Sequence, residues 1–85
     1  MTRTEIQEKV VQALSTVAPE IASASLATDV ALRDQVDLDS MDFLRFVIEL
    51  KRQIGVDVPE SDYQKLASLA SAVDYLAARV AARSG

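Results

Sequence analysis

A serine hydroxyl attacks well only when a neighbouring group takes its proton, and this chain contains no histidine and no cysteine. The usual general base near neutral pH, the thiolate nucleophile and the commonest metal ligands are therefore absent. Ser40 is still the residue with the most chemical promise. Asp29, Asp34, Asp37, Asp39 and Asp42 crowd around it in sequence, against Arg33 alone. Lys9, Lys51 and Lys65 do not adjoin it. A serine at the first position of a helix has an exposed hydroxyl and unpaired backbone N–H groups beside it. A phosphate ester there would feel those groups and the positive helix end. The surrounding acids oppose a site for free phosphate but suit a partner that brings a metal or a basic surface. This pattern implies a serine modified by another enzyme, not a catalytic one. The plain alternative is that Asp39 is only a helix cap and Ser40 an ordinary first-turn residue.

The elements that would position Ser40 follow from periodicity. Helix two is bounded by Asp39 as N-cap, with Asp42 at its third position, and by Gly55 as a left-handed stop. Advancing roughly 100° per residue splits SMDFLRFVIELKRQI into two apolar faces. Phe43, Phe46, Val47, Leu50 and Ile54 share the face expected in the core. Met41, Leu44 and Ile48 lie nearly opposite, beside Ser40, Arg45 and Arg52. A helix apolar on two sides is either buried all round or presents one side to a partner. Here the long 19–38 connection could also cover the second stripe.

Upstream, Ile6, Val10, Leu14 and Val17, widened by Val11 and Ala13, predict an amphipathic helix over 4–18 that Pro19 closes. Residues 19–38 lack one period and read as a long connection pinned by Ile21, Leu26, Val30 and Leu32. Downstream, 56–59 is a short extended link. Ser61 and Gln64 suggest the cap of a brief helix containing Tyr63 and Leu66. Ser68 begins a last helix with Leu69, Ala72, Val73, Leu76, Ala77 and Val80 on its apolar face, and 81–85 is expected to fray. The expected fold is all-α: a small four-helix bundle of three main helices plus one short helix, with a long loop between helices one and two, in a single domain over 1–85.

Composition agrees. At 85 residues, one core is all the chain can build, and 49% apolar with 26% charged residues places it among folding chains. Two glycines and two prolines disfavour a turn-rich sheet. Thirteen acids against nine bases, net -4, disfavour nucleic acid as a partner. No apolar run approaches a membrane span, and the N-terminal residues are not followed by a signal core, so a cytoplasmic monomer is expected.

The stretch 36–50, VDLDSMDFLRFVIEL, resembles the acyl carrier protein family, and the likeness extends over most of the chain. It takes in Asp39-Ser40-Met41 at a helix start and the periodicity of helix two. It continues through Gly55, Val56 and Val58-Pro59, the short helix before Leu66 and the last helix from Leu69 to Leu76. The resemblance implies that a holo-acyl-carrier-protein synthase, or another phosphopantetheinyl transferase, moves 4'-phosphopantetheine from coenzyme A onto Ser40. The terminal thiol of that arm would then carry acyl groups as thioesters, which explains how a chain without Cys or His can take part in acyl chemistry. By the same resemblance the chain is a carrier and not an enzyme. Asp39 serves synthase recognition as well as capping, and Asp37 and Asp42 belong to an acidic rim. Met41, Leu44, Arg45, Ile48 and Arg52 would meet partner enzymes: an acyl or aminoacyl ligase, a ketosynthase or an acyltransferase. Phe46, Val47, Leu50, Leu66, Leu69, Val73 and Leu76 would line an acyl chain sheltered between helices, while also forming ordinary core.

Three departures narrow the expectation. Asp37 stands where many relatives have Gly, and Met41 where many have Leu. Arg45, Lys51, Arg52 and Gln53 stand where fatty-acid carriers are commonly acidic. The expectation is a specialised carrier for a dedicated lipid or secondary-metabolite pathway. An aminoacyl or peptidyl carrier and a non-carrier helical adaptor are the alternatives.

Overall fold

A computed structural model describes residues 1–19, 32 and 38–84, with Arg83 and Ser84 described by their backbone alone. Among these residues the chain forms three α-helices and one short 3₁₀ helix: α1 (Arg3–Val17), α2 (Ser40–Ile54), the 3₁₀ helix (Glu60–Leu66) and α3 (Leu69–Ser84). The structure is the expected all-α bundle of three main helices and one short one. Asp37 and the anchors Ile21, Leu26 and Val30, like most of the 19–38 connection, lie outside the described residues.

Each main helix starts where a short polar side chain can satisfy the orphan N–H groups of a first turn. In α1 the cap is Thr2, one residue earlier than the apolar period suggested. Its hydroxyl accepts from the Glu5 N–H at 3.1 Å, and Glu5 Oε1 accepts from the Thr2 N–H at 3.3 Å. Ser68 opens α3 in the same way: its hydroxyl accepts from the Ser71 N–H at 3.1 Å. α1 ends at Val17, with Ala18 as C-cap just before Pro19. α2 ends at Gly55, whose φ of 80° is the left-handed geometry that glycine adopts without a Cβ clash.

The short helix differs from expectation in how it begins. Pro59 is its N-cap and makes no side-chain cap bond. Ser61 and Gln64, expected to form a capping pair, sit inside the turn and point to solvent. Proline has no N–H to satisfy and its fixed φ leads into the first turn without help. α3 runs to Ser84, through the residues expected to fray.

Apolar periodicity becomes one shared core. Ile6, Val10, Ala13 and Leu14 of α1 pack with Phe46, Val47, Leu50 and Ile54 of α2 and with Leu69, Ala72, Val73 and Leu76 of α3. Val56 and Val58 of the link turn inward, with Asp57 outward between them. Leu66 seals the end of the 3₁₀ helix, and Leu32 adds a further buried side chain. The Leu32 N–H donates to the Ala67 carbonyl at 2.7 Å, tying the connection to the junction between the 3₁₀ helix and α3. Phe43, expected in the core, is only half-buried. It lies at the edge, where its ring meets Phe46 edge-on at 5.9 Å and Tyr63 at 5.4 Å. No described helix is long and apolar enough to cross a membrane.

Candidate functional site

Ser40 is the first residue of α2, and the cap beside it is reciprocal. Asp39 is extended, with φ -88° and ψ -177°, so its carboxylate turns back over the helix end. Asp39 Oδ1 accepts from the Asp42 N–H at 2.8 Å, and Asp42 Oδ2 accepts from the Asp39 N–H at 3.5 Å. The Phe43 N–H donates to the Asp39 carbonyl at 3.0 Å, the first bond of the helix. Of the three aspartates expected to matter, Asp39 and Asp42 form the cap beside Ser40, and Asp37 lies outside the described residues.

The Ser40 hydroxyl is exposed and makes no hydrogen bond to a described residue. The N–H groups of Ser40 and Met41 precede the first intrahelical bond, so they belong to the positive end of α2. A hydroxyl so placed is open to an incoming enzyme, and no described residue is bonded to it as a base. Beside it lies a depression of about 260 Å³ lined by Ser40, Phe43, Leu44, Glu60 and Tyr63. Phe43, Leu44 and Tyr63 are its apolar and aromatic lining residues, and Glu60 is the acidic one. Sequence reasoning found Ser40 and Leu44 but assigned no role to Phe43, Glu60 or Tyr63 at this end. Phe43 lies one turn along α2 from Ser40, and Glu60 and Tyr63 reach this end only through the contact of the 3₁₀ helix with α2 at the Phe43–Tyr63 rings.

The residues named for docking separate into two groups. Met41, Leu44 and Ile48 are 68%, 49% and 59% exposed and form one outward stripe. Arg45 is exposed beside them, while Arg52 pairs with Glu49 at 2.8 Å. The residues named as acyl lining all lie in the core: Phe46, Val47, Leu50, Leu66, Leu69, Val73 and Leu76 are each at most 8% exposed. They are close-packed, so a chain lodged among them must part them.

A second polar cluster holds the 3₁₀ helix to α3. The Tyr75 hydroxyl donates to Asp62 Oδ2 at 2.7 Å. That hydrogen bond, aided by Lys65 and Arg79 against the cost of burial, draws the Asp62 carboxyl below its ordinary value of 3.8. Burial, and then the bond to Asp62, push the Tyr75 phenol up, with Arg79 opposing. The Lys65 ammonium and Arg79 guanidinium stand 5.6 and 5.7 Å from the Tyr75 ring centre.

An exposed serine at the start of a capped helix, with no base bonded to it among the described residues, is the arrangement expected of a carrier domain. Comparison with known proteins agrees: a family profile described as "Phosphopantetheine attachment site" matches residues 8–76. The chain belongs to the acyl carrier, or phosphopantetheine-attachment, family. It is 30% identical over 76 residues to an acyl carrier protein of Lactobacillus johnsonii, covering 89% of this chain and 94% of that one. It is 31% identical over 72 residues to an acyl carrier protein of Campylobacter hominis, with 85% of each chain covered. It is 25% identical over 76 residues to one of Rubrobacter xylanophilus. Members of this family carry groups on 4'-phosphopantetheine and do not catalyse their transformation.

Proposed function

We propose that this chain holds an acyl group as a thioester on 4'-phosphopantetheine attached to Ser40, and delivers it to enzymes of a specialised lipid or secondary-metabolite pathway. The observation that carries the reading is the exposed Ser40 hydroxyl, without a hydrogen bond to any described residue, on a doubly capped helix start inside the span the family profile matches. The residues fit the arm. The hydroxyl accepts a phosphodiester, the first-turn N–H groups face the phosphate, and the depression toward Tyr63 offers apolar surface at the arm's root. When attached, the arm supplies the thiol that the polypeptide lacks.

The chain's own contribution is positioning. Asp39 and Asp42 hold Ser40 for a holo-acyl-carrier-protein synthase or other phosphopantetheinyl transferase, whose own base must take the hydroxyl proton. Asp37 and Asp42 supply acid for that enzyme's basic surface. Met41, Leu44, Arg45, Ile48 and Arg52 meet the enzymes that load and unload the thiol: an acyl ligase, a ketosynthase or an acyltransferase. The seven core residues named above yield to an acyl chain. One carrier domain over 1–85 accommodates these roles, since residues from Ile6 to Leu76 share one core. The specialised pathway is supported by the cations Arg45, Lys51 and Arg52 on a helix that fatty-acid carriers commonly make acidic.

The test is intact mass after incubation with coenzyme A and a promiscuous transferase. Wild type should gain one phosphopantetheine and one titratable thiol, and Ser40→Ala neither. A Ser40→Ala protein that still gains the group refutes the assignment.

A further inference from the structure

Three aromatic rings run in series from the Ser40 end of the bundle into its core. Tyr63 stands 5.4 Å from Phe43, and Phe43 meets Phe46 edge-on at 5.9 Å. Phe46 is 1% exposed, while Phe43 and Tyr63 are half-buried and pack against the core from its edge. Phe43 therefore belongs to two places at once: it lines the depression beside Ser40 and touches the Phe46 ring behind it. Ring centres at these separations are in contact. A methylene chain keeps about 3.5–4.0 Å from each carbon it touches, so none fits between such rings as they stand. Tyr63 is carried by the 3₁₀ helix, which Leu66 and the Tyr75–Asp62 bond tie to α3. Phe43 is on α2, where a long side chain takes χ1 near about 180° or -60° and little else. Its ring has two places to stand, and leaving the first is a switch.

We propose that Phe43 and Tyr63 form a gate between the root of the arm and the core, and that the gate selects cargo by length. A long straight acyl chain displaces the Phe43 ring and enters, whereas a short or polar acyl group stays in solvent. The proposal rests on the carrier reading and adds the class of cargo that is sheltered. Moving the ring loses its contacts with Tyr63 and Phe46, and that loss is the same for every cargo. The gain grows with the cargo, since each methylene leaving water favours entry by about fourfold. A fixed loss against a growing gain makes a threshold length. A polar acyl group lacks the gain and gives up its own hydration.

The experiment uses the full chain carrying the arm, checked by mass, and loaded with acetyl, hexanoyl, octanoyl, decanoyl or dodecanoyl groups. Hydroxylamine cleaves an exposed thioester to a hydroxamate and frees the thiol of the arm, so its rate reads how much of the cargo is in solvent. Wild type should protect dodecanoyl and leave acetyl as reactive as acetyl-pantetheine. Phe43→Leu and Tyr63→Leu each take one ring out of the series at a half-buried position, and their helicity should match wild type. Each should slow cleavage of the acyl group just below the wild-type threshold by about tenfold, which moves the threshold down by about two methylenes. Tyr63→Phe keeps the ring and should leave the threshold in place.

The same threshold in wild type and both leucine variants overturns the gate and leaves the carrier reading standing, as does a failure of all three to protect any chain. A shift with Tyr63→Phe as large as with Tyr63→Leu assigns the effect to the phenol hydroxyl and overturns the gate too. Wild type that never takes the arm refutes the carrier reading, and the gate with it.

Discussion

Asp39 has two jobs that a single substitution can separate. Its carboxylate closes the first turn of α2 on the Asp42 N–H, and its charge lies next to the hydroxyl a transferase must reach. Asp39→Ala should cost about 0.5–2 kcal/mol in urea unfolding, the range for losing an N-cap. Asp39→Asn keeps an acceptor oxygen, so stability should stay near wild type while the rate of phosphopantetheine transfer falls. Equal transfer rates for Asn and Asp would leave Asp39 with the cap alone. At this scale the sequence was informative because capping is local: Asp39, Ser40 and Asp42 are neighbours, and their bonds span three residues. Tyr63 and Glu60 were not legible at the Ser40 end because they come from another element, and nothing in their own segment marks the approach. The exposed stripe of Met41, Leu44 and Ile48 was legible as a second apolar face, but only the structure shows which charges beside it are already paired.

Among the elements, the 3₁₀ helix has the least of its own to hold it. It lacks a side-chain N-cap, and seven residues is long for its strained hydrogen-bond geometry. Leu66 anchors one end by burial, and Tyr75–Asp62 ties its middle to α3. Tyr75→Phe keeps the ring and removes the hydroxyl, so the core should survive while amide exchange across 60–67 speeds up several-fold. The same bond predicts a pH effect. Asp62 has a folded pKa below its unfolded value, so its stabilisation is complete above the ordinary carboxylate range. It is lost as pH falls through the lowered folded value. Acid titration of wild type should show this loss, and Tyr75→Phe should flatten it. The sequence located the short helix through Tyr63 and Leu66 but misassigned its start, because Ser61 and Gln64 imitate a capping pair. The three α-helices were clearer, since each has an apolar stripe at period 3.6 over about fifteen residues.

For the molecule as a whole, one core serves both stability and cargo. Phe46 is 1% exposed and sits where α1, α2 and α3 converge. Phe46→Ala should cost about 3–5 kcal/mol, a large share of the roughly 5–15 kcal/mol available to a small domain. A sharp drop in the urea midpoint would show it. If an acyl chain parts this core, amide shifts between holo and acyl forms should appear along α2 and α3, around Val47, Leu50, Val73 and Leu76. Shifts confined to the neighbourhood of Ser40 would mean that the cargo stays in solvent.

The position of α1 carries a consequence for how the chain is made. α1 packs against both α2 and α3, so the first of the described helices completes its surroundings only with the last of them. Its Thr2–Glu5 cap favours an early helix, but fifteen residues are marginal alone in water. A chain truncated before Leu69 would therefore leave Phe46 and Leu50 uncovered on one side. Ser40 would be present in it, yet the scaffold that fixes its direction would be incomplete. Modification should accordingly be slow on such a truncated chain and recover once residues up to Leu76 are there to close on α1.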